Sequence, residues 1–439
     1  MENRNLVIKN AWICRPENDS VIPVFGNMII ENGIIAKIIN GTDNSDYAGF
    51  DVIDAAGKVL TVPNVNFHDH IYSRLAKGLP SLGPTGNFLE ILQNLWWKLD
   101  LVLDHDMIEA SAEMAAIESI RSGVTYIFDH HASPGNTLGS LKCINDALSK
   151  HNIRSVLCFE TSDRNGNELS ADALTENFNY LQKEQNDNCK GMFGLHASFT
   201  LNNSTLEKVK EMTAQTKAGI HIHVCEGEAD RQISFELYGK NPLQRLLEYD
   251  LINDKSILAH CVHLNEDEFK MLKDKKPAIV FNLDSNQNNS IGIPQFGLVP
   301  DEVSILCGTD GMHANIPRSQ KQLFLMLRNS KYNWADTFRI FQKMYFDQLE
   351  FAKKYFSDFG SLNIGGRADF VIWDYAPPTP INKDNFFGHY IYGILERQVQ
   401  TVAQNGSLLM DNYNIVGINE AELNKKIFLQ GKRVVEIIK

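Results

Sequence analysis

His68-Asp69-His70, downstream of the apolar run Val59-Leu60-Thr61-Val62-Pro63, decides how this chain is read. Alternation along a strand sends residues i and i+2 to the same side. Two imidazoles at that spacing, where a strand ends, can therefore close on one metal ion. Among 13 histidines in 439 residues a single such pair carries modest weight. Three later motifs add to it: His221-Ile222-His223-Val224-Cys225-Glu226, then Ala259-His260-Cys261-Val262-His263, then Gly308-Thr309-Asp310-Gly311. Each ends or succeeds an apolar, β-branched run. Strands that deliver His, His with Glu, His and Asp from their C-terminal ends describe a metal-dependent hydrolase on a barrel.

Outward from these motifs the texture is strand, loop, amphipathic helix, repeated. Strands are expected at Val124–Asp129, Ser155–Glu160, Met192–His196, Gly219–His223, Ser256–His260, Ala278–Asn282 and Ser304–Gly308, with one more ahead of His68. Helices are expected at 106–121, 139–151 and 205–216. Such alternation implies parallel strands joined by right-handed crossovers. About eight strands point to a closed (β/α)8 TIM barrel, an α/β fold whose active face is the C-terminal ends of its strands. Before residue 62 the chain reads as short strands and turns, with Asn32-Gly33 a hairpin signal. After about 362 it returns to that texture, in Asp369–Asp374, Val399–Ala403 and the turn Asn405-Gly406. The expected domains are a discontinuous β-sandwich domain, 1–62 plus 363–439, and a catalytic barrel, 63–362.

Composition narrows the function classes. Apolar residues at 43% and charged ones at 22% fit a globular chain and leave no case for wholesale disorder. A net charge of −12 argues against a nucleic-acid backbone or an anionic membrane as partner, and leaves room for a small purine or pyrimidine in a buried pocket. Seven cysteines with no CxxC pair read as buried thiols in a reducing compartment. The start, Met1-Glu2-Asn3-Arg4-Asn5, lacks a basic stretch leading into an apolar one, so no secretory leader is expected. The expected location is cytoplasmic.

The ligand set read from the motifs is His68, His70, His223 and Asp310. Three imidazoles and one carboxylate suit a borderline divalent ion, zinc first and iron(II) next. Such an ion lowers the pKa of a bound water toward neutrality. Asp310, at the end of an apolar strand, is costly to ionise without a cation and can also accept the water proton. Glu226, three residues past His223, is placed to protonate a ring nitrogen as general acid and base. His260 can hydrogen-bond the attacking water or a developing oxyanion. The fourth strand ends in His196 and carries no lysine at its C-terminal end, which is the pattern of a mononuclear centre.

Other residues divide between site and scaffold. His131, in Asp129-His130-His131, and His196 face the catalytic end and are candidates for substrate contact, as is Asn286 after the seventh strand. His221 shares strand parity with His223 and reads as packing beneath the site. His263 reads as a loop residue, and Trp96-Trp97 as core more than substrate platform.

In this order these residues resemble the amidohydrolase superfamily, in its branch of chlorohydrolases and aminohydrolases that includes guanine deaminase and triazine hydrolases. The resemblance spans nearly the whole chain. It is carried also by Asn94–Asp100, Asp129–Pro134, Cys158–Arg164, Ser285–Asn289 and the tail Leu362–Asp374. It implies the same metal ligands, with Glu226 and His260 catalytic, and a homodimer. Two departures stand out: Asn64 replaces the usual glycine after the proline, and Phe281-Asn282 replaces a usual His-Asn. The expected activity is deamination of an amino-substituted, purine-like nitrogen heterocycle by metal-activated water. The alternatives are hydrolysis of a cyclic amide or other C–N bond on the same site, or a non-catalytic barrel homologue, against which stands the complete ligand set.

Overall fold

The computed structural model describes residues 5–42, 45 and 47–438; the N-terminal stretch Met1–Arg4 lies outside them. The chain forms two compact units. One holds the segment ending at Val65, Ile117–Tyr126 and Asn315–Ile418. The other holds Asn66–Ala116, Ile127–Ala314 and the segment from Asn419.

Eight barrel strands come in order: β1 (Asn64–Asp69), β2 (Val124–His131), β3 (Arg154–Phe159), β4 (Phe193–Ala197), β5 (Ile220–Val224), β6 (Ile257–His260), β7 (Ala278–Phe281) and β8 (Ser304–Cys307). A short lead-in, Cys189–Gly191, runs parallel to β3, and Met192 separates it from β4. From β4 to β8 every neighbouring pair is parallel. The ring is completed by parallel bridges Thr161–Leu195 and Asp69–Asp310. Nearly every residue of these strands is buried. That is the condition of parallel strands covered on both faces, and it explains their continuous rather than alternating apolar runs. Some of the intervening helices carry one apolar stripe. In Ser140–Lys150 the buried Leu141, Ile144, Ala147 and Leu148 keep helical spacing.

In the other unit a single nine-stranded sheet combines N-terminal and C-terminal segments. Leu6–Glu17, Ser20–Glu31 and Ile34–Asn40 form an antiparallel meander. Its second turn is Asn32-Gly33, both at positive φ, as a type I′ hairpin requires. Val59–Thr61 is the seam, parallel to Leu6–Glu17 on one side and antiparallel to Phe370–Trp373 on the other. There the buried indole N–H of Trp373 donates to Thr61 Oγ1 at 2.9 Å.

The run Val59–Pro63 is therefore not one strand leading into the histidines. Val59–Thr61 belongs to the composite sheet, and Pro63, which has no N–H to give a ladder, separates it from β1. His68 lies inside β1 and His70 directly after it. The last helix, Glu420–Ile438, joins the barrel unit: Lys426 Nζ reaches Glu113 at 3.1 Å, and Arg433 pairs with Asp104. Among the described residues no helix is long and apolar enough to cross a membrane.

Two barrel strands approach so closely at Gly194 in β4 that a Cβ there would overlap the backbone of Phe159 in β3. Gly194→Ala is expected to cost about 1–3 kcal/mol through overpacking, read as a lower midpoint in thermal or denaturant unfolding. An unchanged midpoint would mean the two strands separate freely there.

Candidate metal centre and active site

Four strand ends deliver the candidate groups, and three do so through backbone that few side chains adopt. Cys225, next to Glu226, has φ 49°; His260 and Cys261 have φ 70° and 52°; Asp310 has φ 54°. Non-glycine residues in this left-handed region cost about 1–3 kcal/mol each and cluster where a site demands a particular direction. Gly308, between β8 and Asp310, has no room for a side chain, since a Cβ would meet Asn282 and lie 2.9 Å from His68 Cβ.

The ligating atoms of His68, His70, His223 and Asp310 lie within 4.8 Å of one another, and all four residues are buried. His70 Nε2 is 3.1 Å from His223 Nε2 and 3.0 Å from Asp310 Oδ1. His68 Nε2 is 3.6 Å from the same oxygen. The opposite ring nitrogens are already engaged. His70 Nδ1 meets the carbonyl of His130 at 2.6 Å, and His223 Nδ1 that of His196 at 2.8 Å. His68 Nδ1 meets His221 Nε2 at 2.8 Å. A carbonyl can only accept, so Nδ1 of His70 and of His223 carries the hydrogen, and in the neutral rings both Nε2 atoms present lone pairs. Two lone pairs at hydrogen-bond distance repel unless a cation lies between them. His68 Nε2, fully buried, has no hydrogen-bond partner. This donor set fits a divalent metal.

Electrostatics agree. Burial pulls the pKa of His68 down to about 3 and that of His223 well below its ordinary value, so both are neutral, as ligands must be. Burial pulls His70 the same way, but the hydrogen bond and charge of Asp310 outweigh it and hold His70 at about 9; proton and cation compete for that nitrogen. Asp310 is ionised: burial raises its pKa, and its contacts with His68 and His70 more than reverse that. Its Oδ2 accepts a 2.6 Å hydrogen bond from Ser285.

Beside the ligands sit Glu226 and His260. Burial, with Asp310 next, pushes the Glu226 carboxyl well above the usual carboxylate range. His260 Nε2 is 3.6 Å from Glu226 Oε2 and 3.7 Å from Asp310 Oδ2. Its Nδ1 lies 2.8 Å from Asn286 Oδ1.

A cleft of about 580 Å³, counting the open solvent at its mouth, lies over these groups. His70, His223, Asp310 and Glu226 line it, with His196 and Ser285 beside them. Its aromatic walls include Tyr72, Phe88, Trp96 and Trp97. The two tryptophans, read from sequence mainly as core, are half-buried and face this space. They adjoin a short π-helical turn, Leu92–Trp96, a distortion common at functional sites. His196 is on the wall. His131 is not: it is buried with Nε2 on Ser133 Oγ at 2.9 Å and its ring against Tyr72 and Phe159. Asn286 reaches His260 and not the cavity, whose wall takes its neighbours Ser285 and Asn289. His221 supports His68 from below, and His263 bonds the carbonyl of Ile291 at 2.8 Å as a loop residue.

The sequence reading assigned no site role to Tyr72, Asp100, Glu160 or Arg164. Asp100 and Glu160 line the cavity. Arg164 joins them from behind, at 2.5 Å and 2.7 Å. Their signal lay in the segments 94–100 and 158–164 that carried the resemblance, without a spacing that states a role. His130, inside the cluster, spends Nε2 on the carbonyls of Leu195 and His221, both at 3.0 Å.

A (β/α)8 barrel with a His/Asp cluster suited to a divalent ion at its C-terminal mouth defines a metal-dependent hydrolase. The amidohydrolase family model matches residues 64–434, and the chain belongs to that family. It is 25% identical to a 5-methylthioadenosine/S-adenosylhomocysteine deaminase of Thermoanaerobacter pseudethanolicus, over 98% of this chain and 100% of that one. It is 26% identical to a 5′-deoxyadenosine deaminase of Methanosarcina barkeri, over 95% and 96% respectively. The fold matches that of the zinc-complexed atrazine chlorohydrolase of Arthrobacter aurescens with a TM-score of 0.80 at 17% identity, covering 97% of this chain and 100% of that one.

Chelation of the purified protein is expected to lower its unfolding midpoint and added zinc to restore it. At a hundredfold excess over Kd the gain is about 2.7 kcal/mol. Asp310→Ala or His223→Ala should abolish the response, and a variant that still responded in full would remove that residue from the ligand set.

Proposed function

We propose that the protein deaminates an amino-substituted nitrogen heterocycle of purine-like size, using one divalent ion held by His68, His70, His223 and Asp310. Zinc suits three imidazoles and a carboxylate best, with iron(II) next. That ion supplies Lewis acidity, bringing a water's pKa toward neutrality. Asp310 takes the proton of the attacking water, and His260, steadied by Asn286, orients that water toward the amine-bearing carbon. Glu226 gives its proton to the adjacent ring nitrogen as the new C–O bond forms. Return of a proton to the exocyclic nitrogen then breaks the C–N bond, and ammonia leaves. Trp96, Trp97, Tyr72 and Phe88 provide flat apolar faces for the ring.

The observation that carries this reading is Glu226, a buried carboxyl whose pKa burial raises, next to the ligand cluster inside an aromatic-walled cavity. A ring nitrogen needs such a donor, whereas plain amide cleavage does not. The single-metal reading rests on the fourth strand, which carries His196 and no lysine at its C-terminal end. The deaminases among the relatives point the same way. Within the branch, the segments Asn94–Asp100 and Cys158–Arg164 resemble those of SsnA-type aminohydrolases, and we place the chain with them, as a cytoplasmic homodimer.

Ammonia release from a panel of purines, aminopyrimidines, pterins and aminotriazines tests this. Release from at least one amino-heterocycle is expected. Ring opening of cyclic amides with no ammonia from any amine would replace the reading. Glu226→Gln should lower kcat by about 10²–10⁴-fold with metal content unchanged; wild-type rates in that variant would exclude Glu226 as the donor.

Because Glu226 must be protonated to donate, and its pKa is raised, kcat/KM is expected to fall as pH rises through that value. A pH–rate profile flat across the alkaline side would contradict that role.

A further inference from the structure

The cavity wall carries four carboxyl groups, those of Asp100, Glu160 and Asp310 and the proton donor Glu226, and among its described lining residues there is no lysine or arginine. The Arg164 guanidinium behind this wall is sequestered. Its NH2 donates to Asp100 Oδ2 at 2.5 Å and its NH1 to Glu160 Oε1 at 2.7 Å. The face of Arg164 lies 5.3 Å from the ring centre of Trp97. Only 8% of this side chain is exposed, and both of its carboxylate partners are buried. The second oxygen of Asp100, Oδ1, is buried and has no hydrogen-bond partner.

We infer that this cavity selects amino-heterocycles whose substituents are uncharged or cationic and rejects those bearing phosphate or carboxylate, because Asp100 and Glu160 hold the Arg164 guanidinium out of reach. The inference rests on the deaminase reading for what the ring undergoes, but the selection itself concerns binding. An anionic substituent brought against these walls would lose its hydration and face fixed carboxylates in a low-dielectric space. A divalent ion held by the ligand cluster would offset Asp310 and in part Glu160, whose carboxylate lies within 4.8 Å of the His70 and His223 ligand atoms, and would leave Asp100 with Arg164 alone. An ammonium or hydroxyl substituent, by contrast, would find acceptors along that wall. Asp100 and Glu160 thus act as specificity-determining residues, through what they do to Arg164.

Three probes share one ring and one sugar and differ in the 5′ substituent, uncharged, cationic or anionic: 5′-deoxyadenosine, 5′-amino-5′-deoxyadenosine and adenosine 5′-monophosphate. Ammonia release by the zinc-loaded full chain gives kcat/KM for each, and calorimetry with zinc-loaded Glu226→Gln gives Kd without turnover. The phosphate is expected to bind at least about tenfold more weakly than the other two, the scale of a like-charge penalty. Asp100→Asn and, separately, Glu160→Gln should narrow that gap by releasing Arg164, chiefly through the phosphate's Kd. If no probe yields ammonia but the binding order holds, the deaminase reading fails and the charge selection stands. Phosphate binding as tight as the uncharged nucleoside, or no measurable binding of any probe, overturns the inference.

Discussion

Two imidazole nitrogens held 3.1 Å apart, with their opposite nitrogens tied to backbone carbonyls, form the constraint around which the barrel mouth is built. The carbonyls belong to His130 at the end of β2 and His196 in β4, so the tautomers of His70 and His223 are set by strands other than their own. A side-chain partner could rotate away; a carbonyl in a barrel strand cannot. The ligand geometry is therefore a property of the strand register, and register in a closed ring is fixed by every neighbouring pair. The same logic accounts for Gly308 and for the left-handed residues Cys225, His260 and Asp310. Each spends conformational energy to aim a polar group at one point, and the buried apolar strands on either side hold it there.

Much of this was legible in the sequence because strand periodicity is short. His68-Asp69-His70 and His221-Ile222-His223 declare which side chains share a face, and the β-branched runs before them declare the strands. Four ligand-type residues on separate strands can then meet only if the strands form one sheet with their ends together. Less legible was where a strand begins. Val59–Pro63 is apolar throughout, and nothing in hydropathy separates its sheet-bound half from the approach to β1; Pro63 does, through its missing donor.

The residues misread or passed over share a different cause. His131 and His130 are adjacent at the same strand end, and only the pleat decides that His130 enters the cluster while His131 turns into Ser133, Tyr72 and Phe159. Asn286, a candidate for substrate contact in the sequence, meets His260 instead. Asp100, Glu160 and Arg164 carry no spacing that states a role, because their meaning lies in a three-way contact across 64 positions of chain. Trp96-Trp97 satisfies a core reading and a cavity reading equally well, since both ask for a large apolar face on a helix.

That three-way contact is not explained by stability. Taking two carboxylates and a guanidinium out of water costs several kcal/mol per ion, and well-packed apolar groups of similar volume usually serve the fold as well or better. Burial raises the Asp100 pKa to about 6 in spite of Arg164 beside it, which is the mark of a site that resists charge even when paired. Asp100 and Glu160 both face the cavity, whereas Arg164 stands behind them. A purely structural ion triad has no reason to present its acids to one empty space and withhold its base. The arrangement makes sense as a wall whose charge is tuned for what enters, built on the same barrel end that holds the ligand histidines in register.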